Sequence, residues 1–244
     1  MVSIVMPVYN GASFMAETLR SVFAQTYGDF QLIVIDDGST DCSAAIATST
    51  GDPRVTFLPY ASNTGIAATV NRGIRASEPS RPFVAFVAAD DLLTPDSIAR
   101  RLDAIGLYDL VCAQSMNIGP TMTFDEFVQQ PRRPPTRLRT FYGATIMMRR
   151  DVFTRFGLFE ESLRHKEDRE MWVRLFGRDK TRTDRATFLR LSDVLAARRV
   201  HTGCHQATWK RATGEPWRLE IETRFEQLVQ LREYNPTAGV ELLQ

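Results

Sequence analysis

The feature that most constrains this chain is Val84-Ala85-Phe86-Val87-Ala88-Ala89-Asp90-Asp91, an apolar run of strand length closed by two adjacent carboxylates. A strand without polar alternation is buried on both faces, as in a parallel sheet covered by helices. In open α/β sheets ligands sit beyond the carboxyl ends of the strands, and Asp90 and Asp91 stand at that end. Neighbouring carboxylates repel unless a cation or hydrogen-bond donors compensate. The pair therefore points to a hard divalent metal carrying a phosphate-bearing ligand. The plainer alternative is that one of them caps the helix expected from Pro95 to about Ile105, since Asp is favoured before a helix.

The preceding residues alternate strand and helix. Val2 to Val8, Phe30 to Ile35, Arg54 to Leu58 and Pro82 to Ala88 read as strands. Between them, Ala12 to Gln25 carries Phe14, Met15, Leu19, Val22 and Phe23 at helical spacing. Cys42 to about Ser49, and the stretch opened by Asn63-Thr64-Gly65 and ending at Ala76, are also helical. Asp36-Asp37-Gly38-Ser39-Thr40-Asp41 is a turn in which Gly38 permits a positive φ and Ser39, Thr40 or Asp41 can cap the next helix. The alternation predicts an α/β nucleotide-binding half with Tyr9, Asp37 and Asp90 on one sheet edge, a convergence that three independent caps do not explain.

Beyond Asp91 the pattern loosens. A strand is expected over Asp109 to Gln114. Asn117 to Thr140 holds Pro120, Pro131, Pro134 and Pro135 with Arg132, Arg133, Arg137 and Arg139, and reads as a lid or acceptor-binding loop, or else a solvated connector. Tyr142 to Arg149 is a returning strand and Asp151 to Phe156 a short helix ended at Gly157. Met171, Trp172 and Leu175 then share a helical face, placing Glu167 and Asp168 at the helix start, where carboxylates are favoured. Ala186 to Val200 is one more strand, followed by His201. Glu215 to Tyr234 is an amphipathic helix for packing or for a homodimer contact.

Thirty basic against twenty-nine acidic residues leave a formal charge of +1, which argues against whole-protein attraction to nucleic acid or an acidic membrane. Three dispersed cysteines, Cys42, Cys112 and Cys204, imply neither a disulfide framework nor a zinc site and suit a reducing compartment. Without a basic leader or a run of about 18 apolar residues, a cytoplasmic location is expected, with any membrane work depending on a partner or lipid-bound substrate.

The chain resembles the family 2 inverting glycosyltransferases of GT-A fold. The resemblance rests on Val2-Ser3-Ile4-Val5-Met6-Pro7-Val8-Tyr9-Asn10, Gln25-Thr26-Tyr27-Gly28-Asp29-Phe30, Asp36-Asp37-Gly38-Ser39-Thr40-Asp41, Asn71-Arg72-Gly73-Ile74, Ala89-Asp90-Asp91 and Glu167-Asp168, in family order from residue 2 to about 205. It implies a Rossmann-like, open, twisted mixed sheet flanked by helices. The corresponding domain would span residues 1–214, with a nucleotide-sugar half at 1–115, an acceptor and catalytic half at 116–214 and a helical extension at 215–244.

The resemblance further implies a nucleotide-diphosphate sugar donor, commonly UDP-linked or TDP-linked, and an acceptor hydroxyl on a glycan, lipid-linked sugar or protein, less readily on nucleic acid. Pro7, Tyr9, Asn10, Asp37 and Arg72 match donor-binding positions, with Tyr9 as a stacking face and Asp37 as an acceptor for an imide N–H. Asp90 and Asp91 match the carboxylates that meet the ribose and a diphosphate-bound Mn²⁺ or Mg²⁺, and His201, two residues after Arg199, is a further metal or phosphate contact. Asp168 matches the general base and Glu167 its supporting neighbour. One departure stands out: the family pattern is Asp-x-Asp-Asp, and Ala88 takes the first place. The alternatives are a nucleotide-sugar-binding module without turnover, which Ala88 favours, and a nucleotidyltransferase, which the absence of a glycine-rich phosphate loop at Tyr9-Asn10-Gly11 disfavours.

Overall fold

The computed structural model describes residues 1–132, 143–177 and 184–203, with isolated positions 223, 226 and 227. Arg133, Arg137 and Arg139, Cys204, His205 and nearly all of the helix expected at Glu215 to Tyr234, with its dimer contact, lie outside the described residues.

The elements are β1 (Val2–Val8), α1 (Ala12–Phe23), β2 (Phe30–Asp36), α2 (Ser43–Thr48), β3 (Val55–Pro59), α3 (Ile66–Ala76), β4 (Phe83–Phe86), β5 (Leu92–Leu93), α4 (Ser97–Ile105), β6 (Leu110–Ile118), α5 (Phe124–Gln129), β7 (Ile146–Arg149), α6 (Asp151–Phe156), α7 (Glu167–Phe176) and β8 (Phe188–Arg199). They build one mixed sheet in the order β3-β2-β1-β4-β7-β6-β8-β5. β1 to β4 run parallel, β7 runs against β4 and β6, and β8 runs with β6. Consequently β1, β2, β4, β6 and β8 all end on one edge.

Strand alternation divides the core between two helical layers. Val2, Ile4, Met6 and Val8 of β1 face Met15, Leu19 and Val22 of α1 with Ile98 and Ile105 of α4. Val5, on the other face, packs with Val70 and Ile74 of α3, Phe153 of α6, and Met171 and Leu175 of α7. Gly73 is the closest helix-to-sheet approach: a Cβ there would stand 2.6 Å from Ile35 Cδ1 and Val5 Cγ1.

Two expectations are corrected. Leu92-Leu93, the approach to the helix expected from Pro95, is not part of a helix entry but a strand at the sheet's edge, pairing antiparallel with Ala197 and Ala196. Both leucines are fully buried, so this short pairing shields the sheet edge with little exposed backbone. Within the proline-bearing stretch, β6 continues to Ile118 and a helical turn follows. Its signals were a capping box between Thr123 and Glu126 and the buried pair Phe124 and Phe127 at i, i+3.

Candidate active site

On the β1–β2 side, the turns after the strands are tied to each other. Asn10, at φ 51, donates its N–H to Ser39 Oγ (2.9 Å) and accepts the Thr40 N–H on Oδ1 (2.8 Å). The Ser39 N–H in turn reaches Asp36 Oδ1 at 2.8 Å. This stitching leaves the Tyr9 ring 53% exposed above the strand end, with Pro7 half-buried behind it. Gly38 adopts φ +76 because the chain folds back on the Ser62 backbone, 2.8 Å from where a Cβ would lie.

Asp37 is buried, and its carboxylate is held by four hydrogen bonds. It accepts from the Thr64 N–H on both oxygens (3.0 and 3.1 Å), from Thr64 Oγ1 (2.8 Å) and from the Gly65 N–H (2.9 Å). Arg72 completes the group: its Nη1 donates to Thr64 Oγ1 (2.8 Å), lies 3.5 Å from Asp37 Oδ1, and its guanidinium covers the Tyr60 ring at 3.9 Å. The expected base acceptor is thus also the anchor that orders the Asn63-Thr64-Gly65 turn. Asn71 serves the far side of α3, bracketing Phe159 with a donated and an accepted bond and donating to Glu161.

On the β4–β8 side, Asp90 and Asp91 face different ways. Asp91 is 1% exposed and its Oδ1 accepts the Arg199 N–H at 3.3 Å, which makes it an internal anchor of β8. Asp90 keeps an open carboxylate and meets His201 Nε2 through Oδ2 at 3.0 Å. The Gly203 N–H donates to His201 Nδ1 at 3.2 Å, an arrangement that the tautomer with its proton on Nε2, facing Asp90, satisfies. The ring lies 4.5 Å from that of Phe14.

Placing a cation at His201 Nε2 would require its proton to move to Nδ1 and the Gly203 contact to break. Of the metal set expected from the resemblance, Asp90 and His201 meet each other, while Asp91 turns an oxygen to the Arg199 N–H. Among the described residues no cluster of three His, Cys, Asp or Glu side chains is placed to hold an ion. One open carboxylate suits a hard cation that takes its other oxygens from a diphosphate and water, which is how Mg²⁺-like ions are commonly held.

The two expected catalytic carboxylates stand together at the start of α7, preceded by Lys166 at φ 66. Asp168 is exposed and accepts the Arg169 N–H on Oδ1 at 2.7 Å. Glu167 is its opposite: Oε2 is shut off from solvent with no hydrogen-bond partner. Burial, with the Asp168 charge adding to it, pushes the Glu167 carboxyl up to about 8. The loop before α7 runs near the Asp37 cluster, because Arg164 Cγ would lie 3.9 Å from a Cβ on Gly65.

Reasoning from sequence did not foresee the parts played by Phe14, Thr64 and Arg199. Phe14 and Thr64 carry ordinary helix-face and turn signals. Arg199, an arginine closing the strand just after the buried run Val194-Leu195-Ala196-Ala197, is a charge in a place that demands partners.

With this geometry in view, the model of the family described as "Glycosyl transferase family 2" matches residues 3–163. The chain belongs to glycosyl transferase family 2. Its activity class is therefore sugar transfer. An uncharacterised glycosyltransferase of Rickettsia prowazekii is 28% identical over 220 residues, covering 84% of this chain and 68% of that one. A counterpart in Rickettsia typhi is 29% identical over 82% of this chain and 64% of its own length. The glycosyltransferase EpsJ of Bacillus subtilis is 28% identical over 69% of this chain and 54% of its own, so the chain spans between half and two thirds of these last two relatives.

Two solved structures share the GT-A fold. S. aureus TarS residues 1–349 in complex with UDP-GlcNAc superposes with a TM-score of 0.68 at 18% identity, covering 97% of this chain and 72% of that one. The mannosyltransferase PcManGT of Pyrobaculum calidifontis, in complex with GDP-Man and Mn²⁺, gives 0.64 at 18% identity over 98% and 70%. Among the described residues no helix is long and apolar enough to cross a membrane.

Proposed function

We propose that this glycosyltransferase transfers a sugar with inversion from a nucleotide-diphosphate sugar, UDP-linked by preference, to an acceptor hydroxyl, with Asp168 as general base. The observation that carries the proposal is the shared edge. Tyr9, the Asp37 cluster and Asp90 follow parallel strands that end together, and the Arg164 side chain of the loop leading to Asp168 lies on the Gly65 side of the Asp37 cluster, its Cγ 3.9 Å from where a Cβ on Gly65 would stand. Tyr9 supplies an exposed ring for the base, and the Arg72 and Asp37 pair fixes the turn beneath it. Asp90 would hold Mn²⁺ or Mg²⁺ against the diphosphate, where the ion supplies charge neutralisation to the leaving group. The UDP-GlcNAc complex of TarS and the GDP-Man and Mn²⁺ complex of PcManGT support a donor of this class.

In the reaction Asp168, open to solvent at the helix start, accepts the proton of the acceptor hydroxyl. The acceptor oxygen forms its bond to the anomeric carbon on the face opposite the diphosphate. The carbon–oxygen bond to the diphosphate breaks, and the nucleoside diphosphate departs with the electron pair. Glu167 presses an uncharged carboxyl behind the base. The acceptor is a hydroxyl on a glycan, a lipid-linked sugar or a protein, and the expected place of work is the cytoplasm.

The test is to titrate UDP-, TDP- and GDP-sugars with and without Mn²⁺ into the wild type and Asp168→Asn, following binding and slow donor hydrolysis. The expected result is metal-dependent binding in both proteins, with turnover lost about 10²- to 10⁴-fold only in Asp168→Asn. Binding without turnover in either, even with acceptors supplied, would favour the second reading that Ala88 suggests, a nucleotide-sugar-binding module. Failure of every donor to bind would sink both readings.

A further inference from the structure

Arg199 is fully buried, and the carboxylates of Asp90, Asp91 and Glu17 lie near enough to favour its charge without closing an ion pair with it among the described residues. The fork is spent on backbone carbonyls instead. Nε donates to Asp90 O (3.1 Å), and Nη1 to Gly119 O (3.1 Å), Pro120 O (3.0 Å) and Met122 O (2.8 Å). The same residue's backbone N–H bonds the Asp91 carboxylate at 3.3 Å. Its guanidinium lies 5.0 Å from the centre of the Phe14 ring, which on its own account meets His201. Burying a guanidinium is costly, and partial carbonyl charges offset the cost only when several are aimed at it. Here four are, and they come from the two segments that must stay in register: the Asp90-Asp91 turn and the turn that leads into α5.

The second segment has a further anchor, in Glu17, whose charge also acts on Arg199. The Phe124 N–H donates to Glu17 Oε2 at 2.6 Å, and Asp125 receives a two-pronged bond from Arg20 at 3.0 and 3.1 Å, which ties α5 to α1. The Gly119–Met122 turn is thus held between α1 at one end and Arg199 at the other. It is also the route from the sheet edge into the proline-bearing stretch on the acceptor side.

We infer that Arg199 is a positioning residue that locks Asp90 and His201 to the Gly119–Met122 turn, so that donor binding at Asp90 and the placement of the acceptor-side segment are coupled. The inference rests on Asp90 being the donor-side carboxylate of the proposed reaction. Lys keeps the charge but has a single donor head in place of a planar fork, so Arg199→Lys breaks the clamp without emptying the site.

The experiment has a readout that needs no donor. The ring signals of His201, recorded without donor, should shift between the wild type and Arg199→Lys as the Asp90 turn loses its hold. The second readout is the Kd of a UDP-sugar measured at several Mn²⁺ concentrations, expected to rise about tenfold in Arg199→Lys. Glu17→Gln, which loosens the other anchor and leaves Arg199 in place, should give a few-fold rise, and the double variant should fall short of the product of the two. A fall in melting temperature with His201 signals and Kd unchanged would show a purely structural arginine and overturn the inference. Effects that multiply independently would overturn the coupling. If the His201 signals change while no nucleotide sugar binds the wild type, it is the catalytic reading that fails, and the claimed link to donor binding goes with it.

Discussion

The Asp37 cluster after β2 and the start of α7 treat their buried carboxylates in opposite ways. Asp37 is buried with four hydrogen bonds and Arg72 beside it. Glu167 has a buried Oε2 with no partner and a carboxyl pushed up to about 8. The first arrangement pre-organises a surface before any ligand arrives. The second stores an uncompensated acid next to the residue proposed to take a proton. Satisfied polar networks rigidify, whereas unsatisfied ones are retained where function requires them, so the contrast separates the part of the site that holds from the part that reacts.

Removing each carboxylate should act on stability in a different way. Asp37→Ala strips an acceptor from the Thr64 and Gly65 N–H groups and leaves Arg72 half-buried without its counter-charge. A loss of about 3–5 kcal/mol is expected on removing one partner of a buried pair. Urea unfolding would measure it, and a loss under 1 kcal/mol would mean the cluster is not an anchor. Glu167→Gln should act on the pH dependence instead. A carboxyl whose folded value is raised holds its proton in the native state while the unfolded chain gives it up, so the wild type loses stability as pH climbs from about 4.5 towards about 8. The slope approaches 1.36 kcal/mol per pH unit. The glutamine variant should be flat across this window relative to the wild type. Parallel slopes would refute the orphaned-acid account.

A smaller effect distinguishes the exposed part of the donor side from its buried frame. Tyr9→Ala removes a ring that the sheet does not pack, so stability should hold while donor affinity falls by about 1–3 kcal/mol, the range for base-on-aromatic stacking. Equal affinity in the two proteins would assign the base to another surface.

How much of this was legible in the sequence follows the same division. The donor side repeats one unit, apolar strand then turn then helix, and each signal is local. Gly38 needs its positive φ and Asn71-Arg72-Gly73 needs its spacing, so residues near in sequence announce the structure. The short α5 showed only a capping box and two phenylalanines, too little periodicity to stand out against its prolines. Leu92-Leu93 could not be read as a strand at all, because its partners Ala197 and Ala196 lie 105 and 103 residues away. The two fates of Asp90 and Asp91 were equally hidden, since the donor that claims Asp91 is the backbone of Arg199. Local chemistry is written locally; which polar group finds which partner across the sheet is not.

The finest test concerns Ala88, where the family pattern has a carboxylate. The turn that joins β4 to β5 is closed by the Asp91 N–H on Ala88 O at 3.1 Å, a bond between backbone atoms that a change of side chain does not remove. Ala88 is half-buried, so an added carboxylate has access to water and need not be desolvated. Ala88→Asp should therefore fold as the wild type does and add an oxygen donor near Asp90. If the cation is shared between Asp90 and the diphosphate, the extra ligand should tighten Mn²⁺ a few-fold in the presence of a UDP-sugar and leave donor affinity without metal unchanged or slightly weaker from added negative charge. Calorimetric titration of Mn²⁺ with and without donor would decide it. Tightening that is the same without donor would mean that the protein alone builds an ion site once the carboxylate is restored. No change in either titration would place Ala88 away from the ion, and Asp90 would stand as the sole protein ligand by design rather than by loss.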